Sequence, residues 1–472
     1  MFAGGWTLPE AEAICSDTAE ADLPPLPGRE MIGVRVPGVR PDDVLDLLTH
    51  LVDKSLVVME EQEGEGRYRF LETIRQYARD KLLESDEGAA LRDRHLKWFL
   101  DLAEQGEPEL HGPDQAMWLD RLEVEHDNLR AALEWSLGSG EVEAGLRLTG
   151  ALWQFWHMQG YFSEGREWLK GMLARSSSAS ASARAKALHM AGLLAEHQGD
   201  YSRATALLEE SLALFRELGD EYRWNIAGGL SSLGQVTMIQ GDYGRATTLC
   251  EEALALSQEA GDKGIIAFSL LILGLVALQQ GDYRRAAALC EESLVLHPKP
   301  WNEQGTSYLL SHLSLVVLHQ GDHDRAAKLC EEALALAREV GNKEAIVKSL
   351  SILGIAARVQ SDHGRAIELL KESLSLSWEI GDRLDIAWCL EGLSEVAVAQ
   401  GQQERAARLF GAAEALREDI GAPLPPSERP DYDRSVAAAR AGLGEEAFVA
   451  AWAEGRKMTV EKAIQLAVGG GQ

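Results

Sequence analysis

Small and apolar positions recur along most of this chain, at a first spacing of 42 residues and then with a period of forty. The clearest marker is an Arg-Ala pair: Arg203-Ala204, Arg245-Ala246, Arg285-Ala286, Arg325-Ala326, Arg365-Ala366 and Arg405-Ala406. Twelve residues before each alanine stands a small residue (Gly192, Gly234, Gly274, Ser314, Gly354, Ser394), and seven after it another (Ser211, Ala253, Ser293, Ala333, Ser373, Ala413). Between them apolar residues fall at helical spacing, as in Leu249, Ala253, Leu254 and Leu256. Two antiparallel helices approach closely only where side chains are small, so each unit is predicted to be a helical hairpin. Gly-Asp pairs supply the breaks at 199–200, 241–242, 281–282 and 321–322, with Ser361-Asp362 and Gly401-Gln402 continuing the series. Glycine can take the left-handed conformation that ends one helix, and aspartate can cap the next. Each unit then holds two helices of about sixteen residues.

This small-residue ladder resembles the tetratricopeptide repeat in a long variant, and it implies an all-α, right-handed helical solenoid. The aromatic usual between the first two small positions is missing, with Ala195, Thr237, Ala277, Val317, Ala357 and Ala397 there instead. The array is expected over 181–420. Before it, 89–180 is a helical linker with a divergent first repeat near Gly160 and Gly165. After it, 421–472 forms capping helices at about 428–441 and 444–468. Pro298, Pro300 and Trp301 interrupt one turn, where the stack is expected to bend. Cys250, Cys290 and Cys330 stand where sister units have Leu208, Leu370 and Phe410, so they read as core packing. Carried over by position, the repeat's concave groove is lined by Gln235, Met238, Phe268, Leu271, Leu275, Leu278, Gln279, Tyr308, Leu315, Leu318, His319, Lys348 and Arg358. An apolar strip with sparse polar edges suits a protein or peptide partner, or a small-molecule effector, better than a strongly charged ligand.

Residues 1–88 read differently. Pro41 to Leu56 is a capped amphipathic helix, Val57–Glu60 and Arg67–Phe70 are short strands, and Leu71–Leu83 is a helix again. Helix, two-stranded wing and helix make a small winged-helix pattern. Four strings here and beyond carry a family resemblance: Phe-Ala-Gly-Gly-Trp-Thr-Leu-Pro-Glu-Ala-Glu-Ala-Ile-Cys (2–15), Leu-Val-Asp-Lys-Ser-Leu-Val (51–57), Tyr-Arg-Phe-Leu-Glu-Thr-Ile-Arg-Gln-Tyr-Ala (68–78) and Glu-His-Asp-Asn-Leu-Arg-Ala-Ala-Leu (125–133). Together they resemble bacterial STAND-class predicted ATPases of the LuxR-like transcriptional regulators. The resemblance implies an NB-ARC-like nucleotide-binding domain ahead of the winged helix. No Gly-x-x-x-x-Gly-Lys-Ser/Thr occurs in this sequence, so a phosphate-cradling loop is missing. Met1 stands where the family reads Val, so a truncated gene or a start placed inside a longer frame is expected.

Charge and chemistry narrow the function. Seventy-five acidic against forty-six basic residues, a net charge of −29, argue against a broad phosphate-backbone footprint. Residues 41–84 hold eleven Asp/Glu and six Lys/Arg, with Arg67, Arg69, Arg75 and Arg79 their only cluster, which argues against DNA contact. Five cysteines at these spacings make no disulfide framework, and no signal peptide or membrane span is apparent, so a cytoplasmic protein is expected. His319 and His323 read as turn residues rather than metal ligands, Glu123, Glu125, His126 and Asp127 as a polar helical face, and the paired glutamates as a solvated face. Neither a catalytic constellation nor a cofactor or metal site is expected. The favoured function is a non-catalytic sensor or scaffold half of a STAND-type regulator, with self-association possible. The alternative is a transcriptional regulator acting on DNA through the winged helix, or with a separate ATPase subunit.

Overall fold

In the computed structural model, which describes residues 2–16, 39–62, 65–85, 87–110, 112, 114–297 and 303–469, each Gly-Asp pair ends one helix and starts the next. Gly199, Gly241, Gly281 and Gly321 take φ values from 73° to 86°. The aspartate side chain then accepts the backbone N–H three residues on: Asp200 from Arg203, Asp242 from Arg245, Asp282 from Arg285, Asp322 from Arg325 and Asp362 from Arg365. Each such cap stabilises its helix by about 1 kcal/mol. The degenerate Gln402 makes no cap bond.

The chain forms two compact units. One comprises Met1–Leu110, Asp114–Leu152 and Ala174–Ser178, the other His111–Pro113, Trp153–Leu173 and Ala179–Gln472. The first unit runs β1 (Trp6–Thr7), α1 (Leu8–Cys15), α2 (Pro41–Asp53), β2 (Val57–Gln62), β3 (Glu65–Phe70), α3 (Glu72–Glu84), α4 (Gly88–Glu109), α5 (Gln115–Val124) and α6 (His126–Ser139). The helix, hairpin and helix expected over 41–83 are α2, β2–β3 and α3. The strands pair antiparallel in the order β1-β3-β2, with Trp6 opposite Tyr68 and Val57 opposite Phe70. A two-residue strand leaves no alternation to read, so β1 was invisible in the sequence.

Asn128 ties this unit together. Its side-chain oxygen accepts the Ala3 and Gly4 N–H groups at 2.9 and 3.3 Å, and its amide donates to the Gly5 carbonyl at 2.8 Å and to Glu125 at 2.7 Å. Glu125 in turn pairs with Arg67 of β3. Of the polar helical face read at Glu123, Glu125, His126 and Asp127, Glu123 and Asp127 are exposed, whereas Glu125 and His126 are buried beside the buried Asn128. Arg69 pairs with Glu60 and Arg75 with Glu72, so three of the four clustered arginines already hold carboxylates.

The second unit begins within α7 (Val142–Gln159) and continues as hairpins: α8 (Phe162–Leu173) after α7, then α9 (Ala181–His197) with α10 (Tyr201–Leu218), α11 (Arg223–Ile239) with α12 (Tyr243–Ala260), α13 (Lys263–Gln279) with α14 (Tyr283–Leu296), α15 (Glu303–His319) with α16 (His323–Glu339), α17 (Lys343–Val359) with α18 (His363–Ile380), and α19 (Arg383–Ala399) with α20 (Gln403–Ile420). Within a hairpin the small residue of the first helix receives a larger one from the second. A Cβ added at Gly192, Gly234, Gly274 or Gly354 would lie 2.5 to 2.8 Å from Leu208, Cys250, Cys290 or Leu370 respectively. Cys250, Cys290, Cys330 and Cys389 are buried, and burial pushes each thiol up to about 12, which keeps it neutral. The serines among the later small residues add a bond: Ser211, Ser293 and Ser373 donate to the carbonyls of Ala185, Ala267 and Val347 at 2.6 to 3.0 Å.

Outside, one glutamate of several pairs reaches the next hairpin, as in Arg245–Glu209, Arg325–Glu291 and Arg365–Glu331. These pairs are exposed and contribute at most about 1 kcal/mol each. The C-terminal cap is α21 (Arg429–Leu443), α22 (Glu445–Arg456) and α23 (Val460–Val468). The single helix expected over 444–468 is thus two, because Thr459 accepts the Lys462 N–H and starts a new helix. The expected bend at Pro298, Pro300 and Trp301 lies outside the described residues. Among the described residues no helix is long and apolar enough to cross a membrane.

Two stability outcomes follow from this geometry. Ser361 occupies the left-handed region, φ 63°, where its sister residues are glycine; Ser361→Gly should raise stability by about 1 kcal/mol in urea denaturation. Asn128→Ala strands the half-buried Ala3 to Gly5 backbone and the buried Glu125, and should lower the stability of the first unit by about 1–3 kcal/mol in the same assay.

Candidate functional site

The first helices of the hairpins face a common interior, and the winding of the array brings distant ones together. Gly199 approaches Arg383 and Ile420, and Gly160 approaches Ile380. Gln235 of α11 donates to Tyr308 of α15 at 3.2 Å and to Glu196 of α9 at 3.1 Å. These contacts enclose a cavity of 140 Å³ whose wall is partly ionisable: Glu196, His197, Glu344, Lys348, Asp382 and Glu428.

Three of the groups in this interior converge from three helices. His157 Nε2 lies 2.6 Å from one Glu344 oxygen, and His197 Nδ1 lies 3.4 Å from the other. The two imidazoles are 4.5 Å apart, and Phe162 stacks on His197. Burial alone would lower the His197 pKa, but the Glu344 and Glu196 carboxylates outweigh it and raise it to about 10. Burial works to raise Glu344; His197 and His157 overcome it and hold the carboxyl well below its ordinary value. His157 is lowered by burial and by the charge on His197. The second pair is Lys348 with Asp385 at 2.7 Å, the ammonium also lying over the Trp388 ring. Burial and the neighbouring Asp385 push Asp382 well up.

The interior already holds part of the chain. Gln279 on α13 accepts both the backbone N–H and the hydroxyl of Ser427, at 3.2 and 2.9 Å. Pro423 packs at Gly241, and the cavity wall includes Ala422, Pro423, Pro425 and Glu428. A second cavity of 310 Å³ lies between this segment and α15, α17 and α19, and Ser427, Asp431 and Tyr432 are among its lining. At the foot of the segment Arg417 holds Glu391 with two bonds of 2.5 and 2.8 Å, both residues buried.

Of the residues assigned to the groove from sequence, Gln235, Met238, Leu275, Gln279, Tyr308, Leu315 and Lys348 line the smaller cavity. Leu315 also lines the larger one, with Leu318, His319 and Arg358. Leu271 and Leu278 are wholly buried in the interhelical core, and Phe268 packs against it. The cause is position: α13 sits mid-stack between α11, α12, α14 and α15 and shows the interior only one narrow edge. Sequence reasoning missed His157, Glu196, His197, His312, Glu344, Asp382 and the 422–432 segment. One signal was available, since His157 and His197 stand one repeat apart in the last turns of successive first helices. Donor atoms of His157, His197 and Glu344 all lie within 4.8 Å of one another, close enough to share a metal ion. The first unit has a larger cavity, 740 Å³ and mostly apolar, but its wall runs to Cys15 and Val39, beside a stretch outside the described residues, and no site is assigned there.

Residues 154–346 match the family model described as the MalT-like TPR region. A Mycobacterium tuberculosis protein with the provisional name HTH-type transcriptional regulator is 34% identical over 230 residues, 46% of this chain and 23% of its own length. A Mycobacterium bovis protein of the same description matches equally. The chain thus spans about a quarter of the length of the curated relatives it matches. Among solved structures, the Rap conjugation gene regulator of the plasmid pLS20, in complex with the Phr* peptide, superposes with a TM-score of 0.52 at 15% identity, over 68% of this chain and 96% of that one. A STAND protein with a tetratricopeptide repeat sensor from Pyrococcus horikoshii gives a TM-score of 0.45 at 15% identity, over 86% of this chain and 57% of that one. The fold is an all-α tetratricopeptide-type solenoid.

The docked segment carries a pH dependence. Burial raises Glu428 from 4.5 to about 8, Arg417 opposing and Glu391 and Glu395 adding to the rise. A carboxyl raised in the folded state binds more protons there than when unfolded. Its contribution is complete below pH 4.5 and is lost as pH climbs through 8. Glu428→Gln should therefore melt like the wild type at pH 5 and above it at pH 8.5, and equal melting differences at both pH values would contradict this assignment.

Proposed function

We propose that this chain is the sensor part of a STAND-type signalling or transcriptional regulator, and that it binds a short peptide or protein segment inside the repeat array without catalysis. In this reading 1–88 is a winged-helix-like module, 89–180 a helical linker with the first divergent repeat, 181–420 the sensing array and 421–472 its cap. The nucleotide-binding domain such regulators use would lie outside this chain, and the site of action would be the cytoplasm. One observation carries the proposal: the Gln279 side chain accepts the backbone N–H and the hydroxyl of Ser427, so the interior already accommodates a proline-containing segment that turns at that residue. Grooves that hold a backbone through side-chain amides accept many sequences, and flanking pockets select among them. The cavities beside the segment, 140 and 310 Å³, suit a few side chains each. Gln235, Met238, Leu275, Tyr308, Leu315 and Lys348 would line the first, with Leu318, His319 and Arg358 at the second. The peptide held by the Rap regulator supports the same class of ligand.

The names of the mycobacterial relatives favour a second reading, transcriptional control through the N-terminal strands and helices. The carboxylate partners of Arg67, Arg69 and Arg75 weigh against direct DNA contact by that cluster.

A positional-scanning hexapeptide library, read by thermal shift and then by calorimetry on the full chain, separates the two. At least one peptide composition should raise the melting temperature, and Gln279→Ala should weaken that peptide about tenfold, the loss of one good polar contact. A library without any stabilising peptide, together with a DNA mobility shift that strengthens as salt is lowered, would favour the second reading instead.

A further inference from the structure

We propose that His157, His197 and Glu344 form a binding site for a divalent transition-metal ion of the zinc, cobalt or nickel class. Two imidazoles and one carboxylate are the donor set of open zinc sites, in which three protein ligands leave a fourth position for water or a ligand. Ligand atoms around a tetrahedral zinc, with bonds of about 2.0–2.1 Å, lie roughly 3.3 Å apart. Here the carboxylate oxygens are 2.6 and 3.4 Å from the nearest ring nitrogens, and no separation among the donor atoms exceeds 4.8 Å. Shifts of side chains alone close the difference.

Independent features fit this assignment. The Glu196 carboxylate lies 3.8 Å from Nε2 of His197, the ring nitrogen on the far side from Glu344, so a small side-chain shift would bring it into the hydrogen bond that orients a metal-bound imidazole. Phe162 stacks on the same ring at 5.4 Å and 11°, fixing its plane. All three ligands are largely shielded from solvent, their side chains 9%, 15% and 13% exposed. His197 and Glu344 also line the 140 Å³ cavity, so the fourth position opens toward the proposed ligand space. Magnesium and calcium prefer all-oxygen shells and would be rejected.

Such an ion would join α7 and α9 to α17, hairpins far apart in sequence, and clasp the winding of the array. Metal binding would then be coupled to the shape of the cavity beside it.

The test uses the full chain stripped with a chelator and titrated with Co²⁺. The expected result is one tight equivalent with the visible absorption of a four- or five-coordinate site, displaced by Zn²⁺, and a higher melting temperature with Zn²⁺ but not with Mg²⁺. Glu344→Gln and His157→Gln keep hydrogen-bonding shape and should each lose the absorption band and the melting shift. Glu196→Gln, a positioning change, should retain the band and weaken the metal about tenfold to a hundredfold. Absence of a cobalt band in the wild type would overturn the proposal. So would a band of unchanged intensity in both Glu344→Gln and His157→Gln, since the ion would then sit on other histidines. If either variant loses its helical circular dichroism, His197→Asn is read in its place by the same criteria.

Discussion

The closeness of the two helices within each hairpin governs the second unit. Gly192, Gly234, Gly274 and Gly354 leave no room for a side chain against Leu208, Cys250, Cys290 and Leu370, so the backbones meet where a larger residue would hold them apart. One such crossing fixes one interhelical angle. Repeated from hairpin to hairpin, it winds the first helices inward until α9 and α11 meet α15 and α17. In a quasi-linear array each unit contacts only its neighbours unless the winding is tight. Here bonds span 73, 148 and 187 residues along the chain. The interior site therefore belongs to the array as a whole, and no single hairpin contains it.

What that interior collects is expensive to bury. His197 with Glu344, Lys348 with Asp385 and Arg417 with Glu391 are charge pairs withdrawn from water, and the partners in each come from different helices. Replacing such pairs with apolar residues of similar volume is often neutral or stabilising, whereas removing one partner costs about 3–5 kcal/mol. A solenoid that needed only stability would have filled this space with leucine, as α13 does on its core faces. Polar groups held here at that cost fit the recognition role proposed for this interior, and the cavity beside them would give it a place to occur.

The legible part of the molecule was the local part. Gly-Asp turns, aspartate caps and the equivalence of Cys250 with Leu208 each depend on residues within one hairpin, and the sequence states them directly. The groove was legible only in part: Gln235, Gln279 and Lys348 reach the interior, while Leu271 and Leu278 close the core. Position within the repeat tells which helix a residue belongs to, but not how far successive units rotate, and that rotation decides between groove and core. His157 and His197 stand one repeat apart, but Glu344 joins them only after four units of accumulated winding, so no spacing rule could add it. The first unit repeats the lesson at shorter range. The strings at 2–15 and 125–133 were both recognisable, but only the folded chain shows Asn128 of the second holding the backbone of the first.

The segment from Ala422 to Tyr432 changes how any ligand meets this groove. Pro423, Pro425 and Pro426 restrict its backbone before it docks, so little conformational entropy is lost when it lies down. Tethered in the same chain, it would compete with a ligand for this place at a high effective concentration. A ligand that overlaps Ser427 must displace it, and its apparent affinity falls by the fraction of molecules in which the groove is free. A ligand confined to the flanking cavities touches the segment instead and holds it down. Either way the event would act next to the helices that follow. Those helices are not loosely attached: a Cβ added at Gly455 of α22 would lie 1.9 Å from the Arg408 carbonyl of α20, and Lys371 and Arg405 grip carbonyls at the end of α23. A movement of the segment would thus have a stiff path into the C-terminal cap.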